Sequence, residues 1–344
     1  MLRWNNDYNR GAHPDIIAAL EKTNCESYCG YGLDDWCVRA SNEIKKYLGK
    51  SEADIHFLLG GTQANYTFIA SALRPYESVI CADTGHINVH ETGAVENTGH
   101  KIHALKNELG KLTASQIAHE AELFRSSEIQ EHITEPKMVY LSLPTEYGTV
   151  YTQRELDGIR SVCDEYGLLL YIDGARLGYA LGCEECDVTL EYLASVCDAF
   201  YIGGTKCGAL FGEALVILNP SLKGHFRSFI KQNGGMLAKG WLLGLQFYTL
   251  FKNGLYFDIT KRAVGEAMRI KTAFEEKGVP FFYESPTNQL FVVLDDALMK
   301  KLGENNIYEY EARIDETRHC VRFCTSWATV PQETDRLIAD IAAL

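Results

Sequence analysis

Short apolar segments rich in β-branched and aromatic residues alternate with helical or polar segments as far as about residue 250. Six of them are predicted strands: ADIHFLLGG, SVICAD, KMVYLSLP, LLLYIDGA, AFYIGGTK and EALVIL. Segments between them, such as HPDIIAALEKTN and ANYTFIASALR, have apolar residues at helical spacing. Because strand, loop and helix follow one another repeatedly, we predict an α/β fold with a mostly parallel sheet covered on both faces.

The pattern changes in the last part of the chain. A long helix (ITKRAVGEAMRIKTAFEEKG), a strand (NQLFVVLD), a helical DDALMKKL and a strand in VRFCTSW precede a final helix, PQETDRLIADIAAL. This order predicts a smaller α+β domain. Since 344 residues exceed the usual size of a single core, we divide the chain into residues 1–250, the N-terminal segment with the large domain, and residues 251–344, the small domain.

The charge balance is acidic, with 33 Lys and Arg residues against 46 Asp and Glu residues and a formal net charge of −13. This charge repels a phosphate backbone, and no basic stripe is present for nucleic acid or anionic lipid. The start, MLRWNNDYNRGAHP, has no apolar signal region, and the most apolar run, GWLLGLQFYTLF, is too short to cross a bilayer. We expect a cytoplasmic protein that acts on a small molecule, with no nucleic-acid or membrane partner.

The eleven cysteines are scattered over the whole length, mostly within apolar segments. Their odd number and scatter are typical of reduced, buried thiols in a reducing compartment. Cys183 and Cys186 form a CxxC pair, and Cys25 and Cys29 are spaced CxxxC without neighbouring His residues. Neither pair has the second set of ligands that a zinc site needs, so we predict no metal site.

An aspartate and a lysine each follow an apolar strand. Asp173 closes LLLYID, and Lys206 follows AFYIGGT. A carboxylate at the end of a buried strand needs a cationic or donor partner, which the protonated nitrogen of a pyridine ring supplies. A glycine-flanked lysine is placed to form a Schiff base with an aldehyde. The two residues together predict a pyridoxal phosphate (PLP) enzyme, whose ring acts as an electron sink for carbanion chemistry on an amino acid.

The segment GGTQAN lies between a predicted strand and a predicted helix. The free N–H groups of Gly61, Thr62 and Gln63 can therefore bind an anion at the positive end of that helix. Alone, such a segment is also compatible with a simple tight turn. Because ligands of open α/β sheets bind beyond the carboxyl ends of strands, we expect it to share one sheet edge with Asp173 and Lys206.

Three further residues are candidates for substrate or cofactor contacts. Arg176, three residues after Asp173, and Arg322, in VRFCTSW, either bind a substrate carboxylate or form structural salt bridges. His86 follows the strand SVICAD and is placed to lie over a flat ring and exchange a proton near neutral pH. His90 and His100 are alternatives for that role.

Taken together, these segments resemble the low-specificity threonine aldolases of the β-eliminating lyase group, which are fold type I PLP enzymes. The likeness covers nearly the whole chain, from NDYNRGAHP through GYGLDD, HFLLGGTQAN, TGHINVHETGA, YIDGARLG and GGTKCGALFGEALVI to NGGMLAKGWLLG and VRFCTSWAT. The resemblance implies a transferase-like large domain with a mostly parallel seven-stranded sheet and a small C-terminal α+β domain. It also implies a homodimer or homotetramer with shared active sites.

The resemblance implies a role for each candidate residue. Lys206 and His86 are catalytic: Lys206 carries the cofactor, and His86 stacks on the ring whose nitrogen pairs with Asp173. The other implied contacts are Gly61, Thr62 and Gln63 with the phosphate, Arg176, Arg322 and Asn6 with the substrate, and Tyr31 with the site of a neighbouring subunit.

The chain departs from the family pattern in two places. Many members have a Thr-His-Asn run where this chain reads PTEYGT, so the group that deprotonates the substrate hydroxyl is open among Glu146, Tyr147, His86 and water. Many members also have an arginine after the GGM-like turn to meet the phosphate across the subunit interface. Here that residue is Leu237, and Lys239, or Lys231 before the turn, is the expected substitute.

The implied reaction is retro-aldol cleavage of a β-hydroxy-α-amino acid, such as L-threonine or L-allo-threonine, to glycine and an aldehyde. The first alternative is a PLP-dependent β-eliminating lyase acting on an amino acid with a β-leaving group. A catalytically silent member of the fold that binds PLP or a partner is a second alternative. A nucleotide-dependent enzyme is disfavoured, since the chain has neither GxGxxG nor GxxxxGK[ST].

Overall fold

A computed structural model describes all 344 residues of the chain. The strands are β1 Leu2–Arg3, β2 Asp54–Leu58, β3 Glu77–Ala82, β4 Lys101–Leu105, β5 Glu135–Ser142, β6 Leu169–Asp173, β7 Ala199–Gly203, β8 Glu213–Ile217, β9 Phe281–Tyr283, β10 Gln289–Asp295, β11 Asn306–Ile307, β12 Glu309–Arg313 and β13 Arg318–Cys324. The helices are α1 Pro14–Thr23, α2 Asp35–Leu48, α3 Gly61–Ala72, α4 His86–Val89, α5 Ala114–Arg125, α6 Gln153–Tyr166, α7 Leu177–Leu181, α8 Leu190–Val196, α9 Phe226–Gln232, α10 Trp241–Phe251, α11 Leu255–Glu276, α12 Asp296–Gly303 and α13 Pro331–Ala342.

A seven-stranded sheet forms the centre of the molecule, in the order β2-β8-β7-β6-β5-β3-β4. All its strands run parallel except β8, which is antiparallel to both of its neighbours. Every residue of β3, β7 and β8 is buried, as expected of strands that helices cover on both faces. The mostly parallel sheet predicted from the sequence is therefore confirmed.

The six predicted strands of this sheet are all present. The one strand that was not predicted is β4, at one of the two edges of the sheet. The β4 sequence, KIHAL, alternates polar and apolar residues, and none of its residues is fully buried. An edge strand has a partner on one side only, so it needs no continuous apolar run. A continuous apolar run, the signal that indicates the other strands, is therefore absent from β4.

The C-terminal part contains a separate antiparallel sheet with the order β12-β13-β10-β9. The helices α11 and α13 pack together beside it. The predicted α+β character of this part is thus confirmed, although the short β9 and the largely exposed β12 were not predicted. β12 reads EYEAR and has no apolar run, whereas β9 is the aromatic segment FFY, which at three residues is too short to indicate a strand.

The first residues of the chain pack with this C-terminal part. β1 pairs in parallel with β11, and Leu2 and Trp4 are buried in the same apolar cluster as Val292 and Phe323. Trp4 also donates a hydrogen bond from Nε1 to Asn306 Oδ1 at 3.0 Å. The division between residues 250 and 251 stays a prediction, with the N-terminal segment bridging both parts.

None of the helices combines the length and the apolar character that a membrane span requires.

Candidate active site

Two adjoining cavities lie at the carboxyl edge of the large sheet. The inner cavity, of about 230 Å³, is lined by the loop before α3, by Asp173 and by the segment around Lys206. The outer cavity, of about 620 Å³, lies between this edge and the C-terminal sheet, from which Tyr283 and Arg322 reach it. The predicted convergence of strand ends therefore produces one continuous site.

Four side chains line both cavities and so mark their junction: His86, Glu146, Arg176 and Lys206. They come from the segments that follow β3, β5, β6 and β7. These four strands are consecutive in the sheet, in the order β7-β6-β5-β3. Parallel strands end at a common edge, which explains why residues so far apart in sequence meet here. A ligand that spans the junction contacts all four.

Lys206 follows β7 in a tightly packed turn. A Cβ atom on Gly204 would come within 2.6 Å of Gly212 O, so the backbone here is accessible only to glycine. The carbonyl of Lys206 accepts a hydrogen bond from Tyr179 Oη, but no hydrogen bond or ion pair holds the Nζ atom. Burial, and then the charge of Arg176, lowers the pKa of Lys206 below its usual range. The amine is thus made more available as a nucleophile.

Asp173 lies at the end of β6 and is buried under hydrogen-bond donors. Its Oδ2 atom accepts from Tyr140 Oη at 2.6 Å and from Asn65 Nδ2 at 2.9 Å, and its Oδ1 atom accepts from Tyr201 Oη and from the backbone N–H of Ala175. Burial opposes the charge, but His86 and these donors hold the pKa of Asp173 below its usual value. The group is therefore a fixed anion on the wall of the inner cavity.

A buried hydrogen-bond chain connects Asp173 with His86. Asn65 Nδ2 donates both to Asp173 Oδ2 and, at 2.8 Å, to Glu91 Oε1. Glu91 Oε1 lies 2.8 Å from Nδ1 of His86, and the Glu91 side chain is fully buried. Glu91 thereby fixes the orientation of the imidazole ring, as a carboxylate does for a histidine in many sites, and His86 lines both cavities.

The N-terminus of α3 has the free backbone N–H groups that GGTQAN predicts. The first backbone bond of the helix runs from Ala64 N to Gly60 O, so the N–H groups of Gly61, Thr62 and Gln63 make no helical bond. Gly60, Gly61 and Thr62 line the inner cavity. The Gln63 side chain turns away instead, accepting from Leu59 N and donating to Asn233 O. Only the backbone of Gln63 is available to an anion.

Arg176 is held by a carboxylate that sequence reasoning missed. Its Nε and Nη2 atoms donate to the two carboxylate oxygens of Asp7 at 2.7 and 3.1 Å. Asn288 Nδ2 also donates to Asp7, whose side chain is fully buried. The edge of the guanidinium formed by Nε and Nη2 is therefore already bound to Asp7, and only Nη1 is free to contact a substrate. The expected structural salt bridge of Arg176 is therefore present, and its role in substrate binding stays a prediction.

Arg322 is less fully engaged. Its Nη1 atom lies 3.1 Å from Oε1 of Glu311, and its Nε atom is buried without a partner. Glu311 is the extra residue of a β-bulge, since Tyr310 pairs with Val321 while Ala312 pairs with Cys320. A bulge redirects a side chain, and here it brings a carboxylate to the outer cavity. The unsatisfied Nε makes Arg322 the better placed of the two arginines for an incoming carboxylate.

Replacing Asp7 by Ala is expected to lower the free energy of unfolding by about 3 kcal/mol, because it leaves the buried guanidinium of Arg176 without its counter-charge. Urea unfolding followed by circular dichroism measures this change. The matched control is Asp15→Ala, in the exposed first turn of α1, which should lower the free energy of unfolding by less than about 1 kcal/mol, the usual contribution of a carboxylate at a helix N-terminus. Equal midpoints for Asp7→Ala and the control would show that the pair contributes nothing to stability.

Three predicted site residues do not reach the cavities of their own chain. Asn6 Oδ1 accepts a hydrogen bond from Tyr8 N within a local turn. Tyr31 is half exposed, and Lys239 is exposed on the loop whose Ala238 carbonyl bonds to Tyr31 N. Lys231 Nζ lies 5.2 Å from the centre of the Tyr31 ring. The aromatic and basic residues expected to serve a neighbouring subunit thus form one surface cluster.

Sequence reasoning missed the residues that surround Asp173 and His86. Asn65 lies inside the quoted GGTQAN and Glu91 inside TGHINVHETGA, so both motifs contained the signal. Tyr140 and Tyr201 looked like ordinary apolar strand residues. Their hydroxyl groups are fully buried and therefore need hydrogen-bond partners. A tyrosine in a strand beside one that ends in aspartate is thus a sequence signal for a hydrogen bond to that aspartate.

The inner cavity fits a phosphorylated pyridine aldehyde. A free, buried amine at Lys206, a fixed anion at Asp173 and three free N–H groups at the start of α3 match its aldehyde, its ring nitrogen and its phosphate. A Cβ atom on Gly61 would lie 2.8 Å from Tyr201 Oη, so the loop approaches the wall more closely than any other residue allows. The aldehyde, the ring nitrogen and the phosphate would each have a partner.

Comparison with known proteins shows the family to which the chain belongs. Residues 14–297 match the family model described as beta-eliminating lyase. The chain is 31% identical to the low-specificity L-threonine aldolase of Pseudomonas sp. (strain NCIMB 10558), over 98% of this chain and 96% of that protein. It is 40% identical to the solved threonine aldolase of Leishmania major, with a TM-score of 0.97, over 100% of this chain and 99% of that one.

A more distant likeness defines the fold class. Sphingomonas wittichii serine palmitoyltransferase is 13% identical, with a TM-score of 0.74, over 99% of this chain and 86% of that one. The fold is therefore that of the fold type I PLP-dependent enzymes. The chain belongs to the β-eliminating lyase family, where it stands with the low-specificity L-threonine aldolases.

Proposed function

We propose that this protein is a PLP-dependent aldehyde-lyase that cleaves β-hydroxy-α-amino acids, of which L-threonine and L-allo-threonine yield glycine and acetaldehyde. The supporting relatives are named threonine aldolases and match the chain over nearly its full length. The observation that carries the proposal is the shared cavity of Lys206 and Asp173, an unpaired amine and a fixed anion. When bound, PLP supplies an electron sink conjugated to the α-amino group of the substrate.

The residues of the chain then divide the work between the two cavities. Lys206 holds the cofactor through its aldehyde, and Asp173 keeps the ring nitrogen protonated. His86, oriented by Glu91, lies over the ring face. Arg322 binds the substrate carboxylate in the outer cavity and so turns the Cα–Cβ bond perpendicular to the ring, which selects this bond for cleavage.

The test is to incubate the purified protein with PLP and a panel of β-hydroxy amino acids and to measure glycine and aldehyde together. We expect equal amounts of both products from L-threonine or L-allo-threonine. Pyruvate and ammonia from amino acids with a β-leaving group, without glycine from threonine, would instead indicate β-elimination. The alternative reaction uses the same cavity, so only the products separate the two.

The surface cluster around Tyr31 suggests that a second copy of the chain completes the site. Tyr31, Leu33 and Val38 expose 47, 66 and 54% of their surface, an apolar patch that a partner would cover. Lys239 and Lys231 lie beside it, and no arginine of this chain lines the inner cavity near the α3 N-terminus except Arg176. We assign this patch to the contact between subunits of a dimer or tetramer.

Leu33→Glu is expected to dissociate this assembly and to reduce PLP retention, because it places a charge in the centre of the apolar patch. Analytical ultracentrifugation of the holoenzyme measures the first effect, and dialysis followed by absorption measures the second. Ile129→Glu changes a similarly exposed apolar residue, outside this patch, and should change neither. A wild-type protein that sediments as a monomer would refute the shared site.

All eleven cysteines are free thiols. This state fits a reducing compartment, and on this basis we assign the protein to the cytoplasm.

A further inference from the structure

The proposed cleavage needs a group that removes the proton from the β-hydroxyl of the substrate. Such a base must line the junction of the two cavities, because the substrate would join the cofactor through its amino group in the inner cavity while its carboxylate binds Arg322 in the outer one. The junction side chains are His86, Glu146, Arg176 and Lys206. Tyr147 lines only the outer cavity.

Most of these side chains have another role or are held by other contacts, so they are poor candidates for the base. Arg176 is a permanent cation held by Asp7, and Lys206 is the attachment point of the cofactor. Tyr147 is stacked on Tyr283 with ring centres 3.8 Å apart, so its ring cannot swing inwards without losing that contact. His86 has Nδ1 bound to Glu91, and the proposed function already assigns its ring to the cofactor.

Glu146 differs from all of them. Its Oε1 atom accepts hydrogen bonds from Ser142 Oγ at 2.6 Å and from the backbone N–H of His86 at 3.0 Å. Its Oε2 atom accepts none from the protein, and the residue lines both cavities. The carboxylate is thus fixed through one oxygen while the other is free for a ligand, which is the geometry that a general base requires.

We propose that Glu146 is the catalytic base for carbon–carbon cleavage, accepting the β-hydroxyl proton of the substrate at Oε2. The O–H electron pair then forms the aldehyde C=O bond, and the Cα–Cβ pair passes into the conjugated system to which the substrate nitrogen is joined. After the aldehyde leaves, Cα takes a proton from solvent, Glu146 gives up its proton to solvent, and glycine is released, so atoms and charge balance. This inference rests on the proposed function and names the residue that the departure from the Thr-His-Asn pattern left open.

The surroundings of Glu146 raise its pKa, which favours its action as a base. Burial raises the pKa of Glu146 above its ordinary value, and the nearby charge of Asp173 adds to this, against the hydrogen bonds from Ser142 and His86. The titratable and charged groups around it are Cys81, His86, Tyr140, Tyr151 and Asp173, together with Arg176 and Lys206, which line the same junction. A carboxylate with a raised pKa is a stronger base than an exposed one, and the acidic limb of kcat should follow its titration.

The test compares wild-type holoenzyme with Glu146→Gln, which keeps an oxygen for Ser142 and the His86 N–H but cannot accept the proton. We expect kcat for glycine and acetaldehyde formation from L-threonine to fall about 10²-fold, as for loss of a general base. The acidic limb of the pH profile should disappear with it. Exchange of the α-hydrogen of glycine in D₂O, which needs no hydroxyl base, should be unchanged.

Two further measurements make the result specific. Binding of PLP to the apoprotein, followed by fluorescence quenching, should be equal for wild type and Glu146→Gln. Glu128→Gln, at an exposed glutamate remote from the cavities, is the matched control and should retain full activity.

Two results would overturn the assignment of Glu146 alone: wild-type cleavage rates in Glu146→Gln, or a parallel loss of cleavage, glycine exchange and PLP binding, which would indicate a structural role. If the wild type exchanges the α-hydrogen of glycine but releases no aldehyde from any β-hydroxy amino acid, the proposed function fails and the assignment falls with it.

Discussion

Lys206→Ala is expected to reduce aldehyde formation by about 10⁴-fold or more, since the variant loses the amine that holds the cofactor and delivers it to the substrate. The Nζ atom has no hydrogen-bond or ion-pair partner, so its removal breaks no structural contact. The fold should therefore survive, and the loss should appear in kcat rather than in the unfolding midpoint. Coupled assay of acetaldehyde with purified holoprotein measures the change.

A matched control separates the reactive amine from the loss of positive charge. Lys252→Ala removes an exposed lysine at the end of α10 and should leave turnover at the wild-type level. Aldolase activity in Lys206→Ala comparable to that of the control would refute the assignment of Lys206.

Asp173→Asn is expected to lower kcat by about 10³-fold, because the isosteric amide cannot hold the cofactor ring nitrogen protonated and the electron sink is weakened. The amide oxygen can still accept from Tyr140 and Asn65 or from Tyr201 and Ala175, but the other two donors lose their acceptor, so urea unfolding is measured beside kcat to separate the chemical effect from the structural one. Steady-state kinetics with L-threonine measures kcat, and the absorption band of the bound cofactor reports the ring.

The control for this variant is Asp164→Asn, at an exposed aspartate on α6, which should change neither kcat nor the absorption band. An Asp173→Asn enzyme with wild-type kcat would mean that the carboxylate does not face the ring nitrogen.

The fold was largely predictable because its strands carry local signals. LLLYID and AFYIGG are continuous apolar runs, and such runs arise where helices cover both faces of a parallel sheet. The same logic located Asp173 and Lys206, because a polar residue that closes such a run must face the sheet edge. Strands at edges, such as β4 and β12, carry no such run and were not found.

The pairings within the site were not predictable, because they join distant parts of the chain. Asp7 and Arg176 are 169 positions apart, and Asn65 and Asp173 are 108 apart. Nothing local in NNDYNR shows that its aspartate is buried against an arginine. The sequence offered Arg176 as either a substrate ligand or a salt bridge, and only the tertiary contacts show how much of the guanidinium is engaged.

The position of Glu311 could not be predicted from the sequence for a different reason. Its position beside Arg322 depends on a one-residue bulge in β12, and a one-residue shift in strand register reverses the face on which a side chain lies. In a polar strand without apolar alternation, no pattern reveals such a shift. Local sequence therefore identified the residues of the cavity better than it identified their partners.

The most direct test of the account is to reduce the holoprotein with borohydride, digest it and locate the cofactor by peptide mass spectrometry. We expect the phosphopyridoxyl group on the peptide that contains Lys206, and on no other lysine peptide. A label confined to a different lysine, or a protein that takes up PLP without any covalent label, would contradict the placement of the cofactor between Lys206 and Asp173.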